Sequence, residues 1–388
     1  MSVYLDHAAT TPLRDEVRDA YVQALAVVGN PASIHSHGQR AKRTLEEARE
    51  RLAAALGCEP IEITYTGGGT EAINLAIKGI WWARQRDAVR PTLLIPGAEH
   101  HATIDAAEWL AATQGARLAP LPLDDNARLA PTELRAALAA VGPQVALVST
   151  LWANNEVGTV QPVPELAAVA AEYAVPLHLD AVSALGYLPV HFARSGVQAM
   201  SVSAHKIGGP VGIGALILSR SVTAVPLQHG GGQQRARSGT QDVAGAVAFA
   251  LAAELATAEL DEFARRLSAL RDDLVRGVQE AVPDAVLRGV AINGDRLPGN
   301  AHFTFPGCEG DSLLFLLDAA GVSVSTGSAC QAGVPETSHV LTAMGVPEGE
   351  ARGALRFTLG HGSTPSDVAA LVAALPQAYT RAQQAGLA

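Results

Sequence analysis

The chain has 388 residues, of which 48% are hydrophobic and 17% charged, with a formal net charge of −10. That length and apolar content suffice for two or three domains without disulfide staples, and exclude an intrinsically disordered chain. The acidic balance argues against direct nucleic-acid binding, which needs a basic face.

The opening residues, MSVYLDHAATTP, show neither a basic stretch nor an apolar core, so no secretory leader is expected. No apolar run of about 18 residues predicts a membrane span. The three cysteines, Cys58, Cys308 and Cys330, are widely spaced and fit neither a disulfide framework nor a zinc site. No metal is expected, and a reducing cytoplasm is the simplest setting.

Residues 39–57 predict an amphipathic helix stopped by Gly57. IEITYT (61–66) predicts a strand that runs into TGGGTEAINLAIKG (66–79), where a helix begins. Apolar strands follow at 92–96, 144–150, 175–180, 198–204 and 212–219, with helices between several of them, notably 103–114 and 163–174. Strands that are apolar throughout, rather than alternating, predict an α/β fold with a mostly parallel sheet covered on both faces. The pattern changes near residue 256. A long helix over 259–282 carries Leu260, Phe263, Leu267, Leu270, Leu274 and Val278 on one stripe. Beyond it, 300–305, a helix from about Asp311, 322–325 and 354–360 read as a smaller α+β unit.

Several residues could carry chemistry. Lys206, in SVSAHKIGGPVGIGAL (201–216), ends an apolar strand, where poor solvation can lower an amine pKa as Schiff-base lysines require. Alone it reads far more readily as a surface lysine after a strand. Asp180 ends PLHLD and could pair with a protonated pyridine nitrogen of pyridoxal phosphate, or simply cap a helix. Both fall at the carboxyl edge of the sheet, where open α/β folds bind ligands. Gly68, Gly69 and Thr70 could cradle a phosphate, and Ser203 and His205 could donate to it. His100, in PGAEHHATID, could stack on an aromatic cofactor or move protons. Asn154 and Asn155 could bond a ligand or build a turn. Arg356 lies inside an apolar run and needs an anion, either a substrate carboxylate or an internal salt bridge. Cys330 lies in VSVSTGSACQAG, among small residues, whereas Cys58 and Cys308 read as structural.

In order and spacing these motifs resemble the cysteine desulfurases of the class V aminotransferase family, fold-type I pyridoxal phosphate enzymes. The resemblance runs through YLDHAATTP, TGGGTEAINLAIKG, EHHATID, NNEVGTVQP, HLDAVSALG, SAHKIGGPVGIGAL, HGGGQQRARSGT, STGSAC and LRFTLG. QAGVPETSHVLTAMG (331–345) is similar to the group with a longer loop after the catalytic cysteine, the housekeeping and nitrogen-fixation-associated type.

The resemblance implies a large cofactor-binding domain over 13–256, with a mostly parallel, mixed seven-stranded sheet between helices. It implies a small domain made of 1–12 and 257–388 that carries the cysteine loop. Lys206 would hold the cofactor and, once freed by the substrate amine, remove the Cα proton. Asp180 would pair with the ring nitrogen, and His100 would stack on the ring and help move protons. Thr70 with the Gly69 amide, Ser203 and His205 would bind the phosphate. Thr240 would reach the phosphate in a neighbouring subunit, which implies a homodimer. Asn155 would border the cofactor and, with Arg356, hold the substrate carboxylate. Cys330 would take the sulfur of L-cysteine as a persulfide, releasing L-alanine and serving an iron–sulfur scaffold or a tRNA-thiolation enzyme. Ser183 stands where the family usually has a glutamine on the ring hydroxyl, and it is too short to reach without a water. Gln161 has no placement from sequence. Selenocysteine lyases and aminotransferases of the same class share Lys206 and Asp180; the Cys330 thiol weighs against transamination.

Overall fold

Runs of valine, isoleucine and leucine bounded by glycine and polar turns become short strands, because apolar β-formers covered on both faces need no alternation. The computed structural model describes residues 2–231, 234, 236–327 and 337–386. Its strands are β1 (Val3–Tyr4), β2 (Ile63–Thr66), β3 (Thr92–Pro96), β4 (Arg117–Leu121), β5 (Val145–Leu151), β6 (Leu177–Asp180), β7 (Ala199–Ser203), β8 (Gly214–Leu218), β9 (Val286–Leu287), β10 (Asn300–Thr304), β11 (Val322–Ser323) and β12 (Ala354–Thr358).

Among the described residues seven strands form the main sheet, in the order β2-β8-β7-β6-β5-β3-β4. Neighbours from β4 to β7 run parallel, while β8 runs antiparallel to both β7 and β2. The sheet is therefore the mixed, mostly parallel one expected. All residues of β5 to β8 are buried. β4, RLAPL, is a largely exposed edge strand containing Pro120, so neither apolarity nor propensity revealed it. The helix Val243–Ala258 also escaped the sequence reading. It is alanine-rich and buried nearly all round, so it has no polar stripe to mark its period.

A second core lies around β9, β10 and β12, an antiparallel sheet in the order β12-β10-β9. Leu267, Leu274, Phe303, Phe357 and Leu371 meet there, and Leu5 from the chain's start joins them. β1 pairs parallel with β11. The helices Val243–Ala258 and Leu260–Ala281 meet at a 70° bend. Among the described residues no single helix is long and apolar enough to cross a membrane.

The parallel strands all end on one edge. Pro96, Leu151, Asp180 and Ser203 close β3, β5, β6 and β7, and Thr66 closes β2 beside them. The turns that leave this edge carry His100, Asn155, Lys206 and the Gly68–Thr70 segment.

Below that edge, His178 is fully buried within β6. Its Nδ1 meets Ser149 Oγ at 2.9 Å and its Nε2 meets Ser201 Oγ at 2.8 Å. Burial pushes its pKa down to about 3. The unfolded chain therefore takes up this proton first, below about pH 6.5, and stability falls as pH drops from there toward 3. Urea denaturation at a series of pH values should show it. His178→Gln is expected to reduce the acid-side slope by up to about 1.4 kcal/mol per pH unit. An unchanged slope would refute this account.

Candidate active site

A cavity of about 380 Å³ opens at the strand-end edge. Gly69, Thr70, His100, Asn155 and Asp180 line it, together with Ser183, His205, Lys206 and Arg356. Nine of the expected site residues thus converge on one space. Ser203 is buried just behind it, Thr240 is exposed outside it, and Cys330 lies outside the described residues.

Lys206 ends the short turn Ala204–Lys206 that follows β7. Its Nζ donates to the carbonyl oxygens of Ala8 and Ala9. Burial lowers its pKa to about 8, Arg356 adds to that lowering, and Asp180 and Asp6 oppose it. Asp180 Oδ1 accepts from the Val182 N–H at 2.9 Å. Burial raises the Asp180 carboxyl to about 6, against the Val182 hydrogen bond and Lys206. A carboxyl so raised has a strong preference for a cation placed beside it, which would return it to the charged form. Behind it, Glu99 is buried and accepts from the Leu151 N–H at 2.9 Å. Desolvation holds Glu99 well above the usual carboxylate range, with Asp180 adding to the shift.

The glycine-rich turn is required by space. Gly68 has φ +147°, and a Cβ on Gly69 would come within 2.8 Å of Val182 Cγ2. The same Cβ would lie 3.5 Å from Ser203 Cβ. Ser203 Oγ is buried and has no partner among the described residues, a costly state for a hydroxyl. An anion bound over the bare glycine backbone would supply its missing acceptor. His205 sits at the same end, with Nδ1 3.2 Å from Thr10 Oγ1, and burial lowers its pKa to about 4. An orphaned hydroxyl, a bare glycine turn that opens a helix and a raised carboxyl fit a group with a phosphate at one end and a basic ring nitrogen at the other.

His100 caps the helix His101–Gln114, its Nδ1 accepting from the Ala102 N–H at 3.0 Å. Burial first, then Lys206, lowers its pKa to about 4. The ring is therefore neutral, with its proton on Nε2. Arg356 lies on β12 and forms the internal salt bridge, one of the two sequence alternatives. Its Nη2 donates to Asp6 Oδ1 at 2.8 Å and its Nη1 to the Asn155 carbonyl at 2.9 Å, while Nε stays buried without a partner among the described residues. The internal salt bridge exists, and with two of its five N–H groups used in these two bonds the cavity-lining guanidinium keeps donors for another anion.

The remaining residues sort plainly. Asn154 is a turn builder: its Oδ1 accepts from the N–H groups of Glu156 and Val157, and its Nδ2 donates to the Ala98 carbonyl. Gln161 pins a neighbouring loop through Leu129 N–H and the Ala127 carbonyl, away from the cavity. Sequence reasoning missed Asp6, Ala8, Ala9 and Glu99. The start of the chain carries almost no regular structure, so only its motif YLDHAATTP could have flagged it.

The sequence model of the aminotransferase class-V family matches residues 3–371. An IscS-like cysteine desulfurase from Mycobacterium tuberculosis is 52% identical over 388 residues, spanning 99% of this chain and 98% of that protein. A solved NifS-like protein superposes with a TM-score of 0.89 at 34% identity, covering 98% of this chain and all of its own. The solved structure of SspA in complex with cysteine matches 92% of this chain and 99% of its own at a TM-score of 0.79 and 29% identity. A catalytic edge of this form, joined to likeness along nearly the whole chain, makes the protein a member of the class-V aminotransferase family and of its cysteine desulfurases.

Proposed function

We propose that this chain binds pyridoxal 5′-phosphate in the strand-end cavity and converts L-cysteine to L-alanine, passing the sulfur to Cys330. The observation that carries this reading is the meeting of Lys206 with a lowered pKa, Asp180 with a raised one, and Arg356 on one cavity. Asp180 would sit on the ring nitrogen; Gly69, Thr70, Ser203 and His205 would hold the phosphate; Ser183 would border the ring. When bound, the cofactor supplies an electron sink conjugated to the substrate amine.

The chain's own groups then have defined tasks. Arg356 offers its remaining guanidinium N–H donors to the substrate carboxylate, beside Asn155. Lys206, with its pKa lowered to about 8, has an appreciable neutral fraction near neutral pH and can take the Cα proton. His100, which lines the same cavity, holds a proton on Nε2. The Cys330 thiolate attacks the substrate sulfur: the new S–S bond forms, the Cβ–S bond breaks, and Cβ keeps the electron pair and takes up a proton. Cysteine and a thiol become alanine and a persulfide, with no external oxidant.

The other two thiols are poor candidates for that role. Burial pushes Cys58 up to about 12 and Cys308 up to about 11, and both are free, which supports a reducing compartment such as the cytoplasm. In a homodimer the exposed Thr240 would reach the second subunit's phosphate. The persulfide would pass to an acceptor protein, an iron–sulfur scaffold or a tRNA-thiolation enzyme.

The test is incubation of cofactor-loaded protein with L-cysteine, with alanine and the mass of the Cys330 peptide measured together. Equal amounts of alanine and persulfide in the first turnover are expected. Alanine without a persulfide on Cys330 would overturn the assignment of the acceptor. Parallel turnover of L-selenocysteine tests the lyase alternative.

A further inference from the structure

Gly327 and Ser338 bracket the segment that contains Cys330; Ser338 bonds one buried carboxylate, that of Glu156, and Gly327 passes beside it. Ser338 Oγ donates to Glu156 Oε2 at 2.5 Å, while accepting from the Leu341 N–H at 3.1 Å to cap the helix His339–Ala343. A Cβ built on Gly327 would lie 3.4 Å from the same Glu156 oxygen. His302 Nε2 is also 3.4 Å from that point, and neither of its ring nitrogens has a partner among the described residues. One residue past Ser338, His339 Nε2 lies 2.8 Å from the Glu99 carbonyl.

Glu156 does not line the cavity, so substrate binding does not explain it. A buried carboxylate is expensive unless strongly hydrogen-bonded, and a short O–H···O⁻ bond is the kind that compensates. Its backbone is equally fixed: the N–H donates to Asn154 Oδ1 and the carbonyl accepts from Asn300 Nδ2, each at 2.9 Å. The residue before it, Asn155, supplies the carbonyl that holds Arg356. Upstream of Gly327, Ser325 bridges to the Arg356 backbone. Turn 154–157 thus holds the arginine through the Asn155 carbonyl and the downstream root of the cysteine segment through Ser338, while the upstream root is tied to Arg356 itself through Ser325.

We propose that Glu156 is a positioning residue for sulfur transfer, fixing the downstream root of the Cys330 segment at Ser338 to the turn that holds Arg356, so that the reach of the thiol is measured from the substrate carboxylate. The inference rests on reading Cys330 as the sulfur acceptor.

Two rates separate this role from a general structural one. Exchange of the L-alanine Cα proton for deuterium needs Lys206 and no thiol. Persulfide formation on Cys330, followed by rapid quench and peptide mass, needs both. In cofactor-loaded Glu156→Ala, persulfide formation is expected to slow about ten- to a hundredfold, as small misplacements of a reacting group do, while exchange stays within about twofold. Glu156→Gln keeps an oxygen for Ser338 and is expected to recover most of the rate. Ser338→Ala should resemble Glu156→Ala, and the double variant should be no worse than either. Persulfide formation at the parent rate in Glu156→Ala would overturn the proposal, as would an equal loss of both rates. If Glu156→Ala does not fold, Ser338→Ala and Glu156→Gln decide by the same two rates. Sulfur release by Cys330→Ala would instead sink the reading beneath it, so the two failures are distinguishable.

Discussion

Cys330→Ala is expected to lower alanine and sulfide production from L-cysteine by about a thousandfold or more, the scale on which removal of a covalent nucleophile acts. The remaining thiols cannot replace it. With Cys58 raised to about 12 and Cys308 to about 11 by burial, the thiolate fraction of either near pH 8 is on the order of 10⁻³ or less. Neither lines the cavity. The first half of the chemistry should survive, because Lys206, Asp180 and the phosphate cradle are untouched. The variant should still bind pyridoxal phosphate, show its absorbance band, and exchange the Cα proton of L-alanine at close to the parent rate. Measuring sulfide, alanine and exchange on one preparation checks all three. Sulfur release at the parent rate would remove Cys330 from the mechanism.

The sequence made the strand-end groups legible because each lies where an apolar run stops. Asp180 closes β6 and Lys206 follows β7 by three residues, so two neighbouring strand ends predict two groups on one edge. What stayed hidden is what other parts of the chain bring to those groups. Asp6 is 350 residues from Arg356 in sequence, yet it provides the carboxylate of the buried pair. No local pattern encodes that distance. Glu99 looked like one polar residue beside two histidines; only burial behind β5 makes it a carboxyl held well above its ordinary range. The doublet Asn154–Asn155 illustrates the limit of residue type as a signal. The two side chains are chemically identical, but one closes a turn against Ala98 and the other borders the cavity. The fold follows the same rule: buried strands announced themselves by apolarity, whereas the exposed edge β4 and the alanine-rich, mostly buried helix Val243–Ala258 lacked the contrast on which periodicity depends.

Lys206→Ala is expected to abolish turnover of L-cysteine, by about 10⁴-fold or more where general base catalysis is lost along with covalent attachment. Borohydride treatment followed by proteolysis should leave the cofactor on the Lys206 peptide of the parent and on no peptide of the variant. The structure also sets the pH at which the lysine can act. Its amine is surrounded by the Ala8 and Ala9 carbonyls, which two N–H groups of a neutral amine can satisfy. Burial and the Arg356 charge hold its pKa at about 8. Only the neutral amine is a nucleophile, so cofactor uptake by stripped protein should rise with pH through a midpoint near 8 and level off above it. Arg356→Gln removes the cation that disfavours the ammonium and leaves Asp6 without its partner, and both changes favour the protonated lysine. The midpoint must therefore move upward in that variant, together with a higher KM for L-cysteine from loss of the carboxylate contact. Stopped-flow absorbance across the pH series reads the midpoint. A midpoint that falls, or one that stays fixed while KM rises, would show that Arg356 does not control the charge of Lys206.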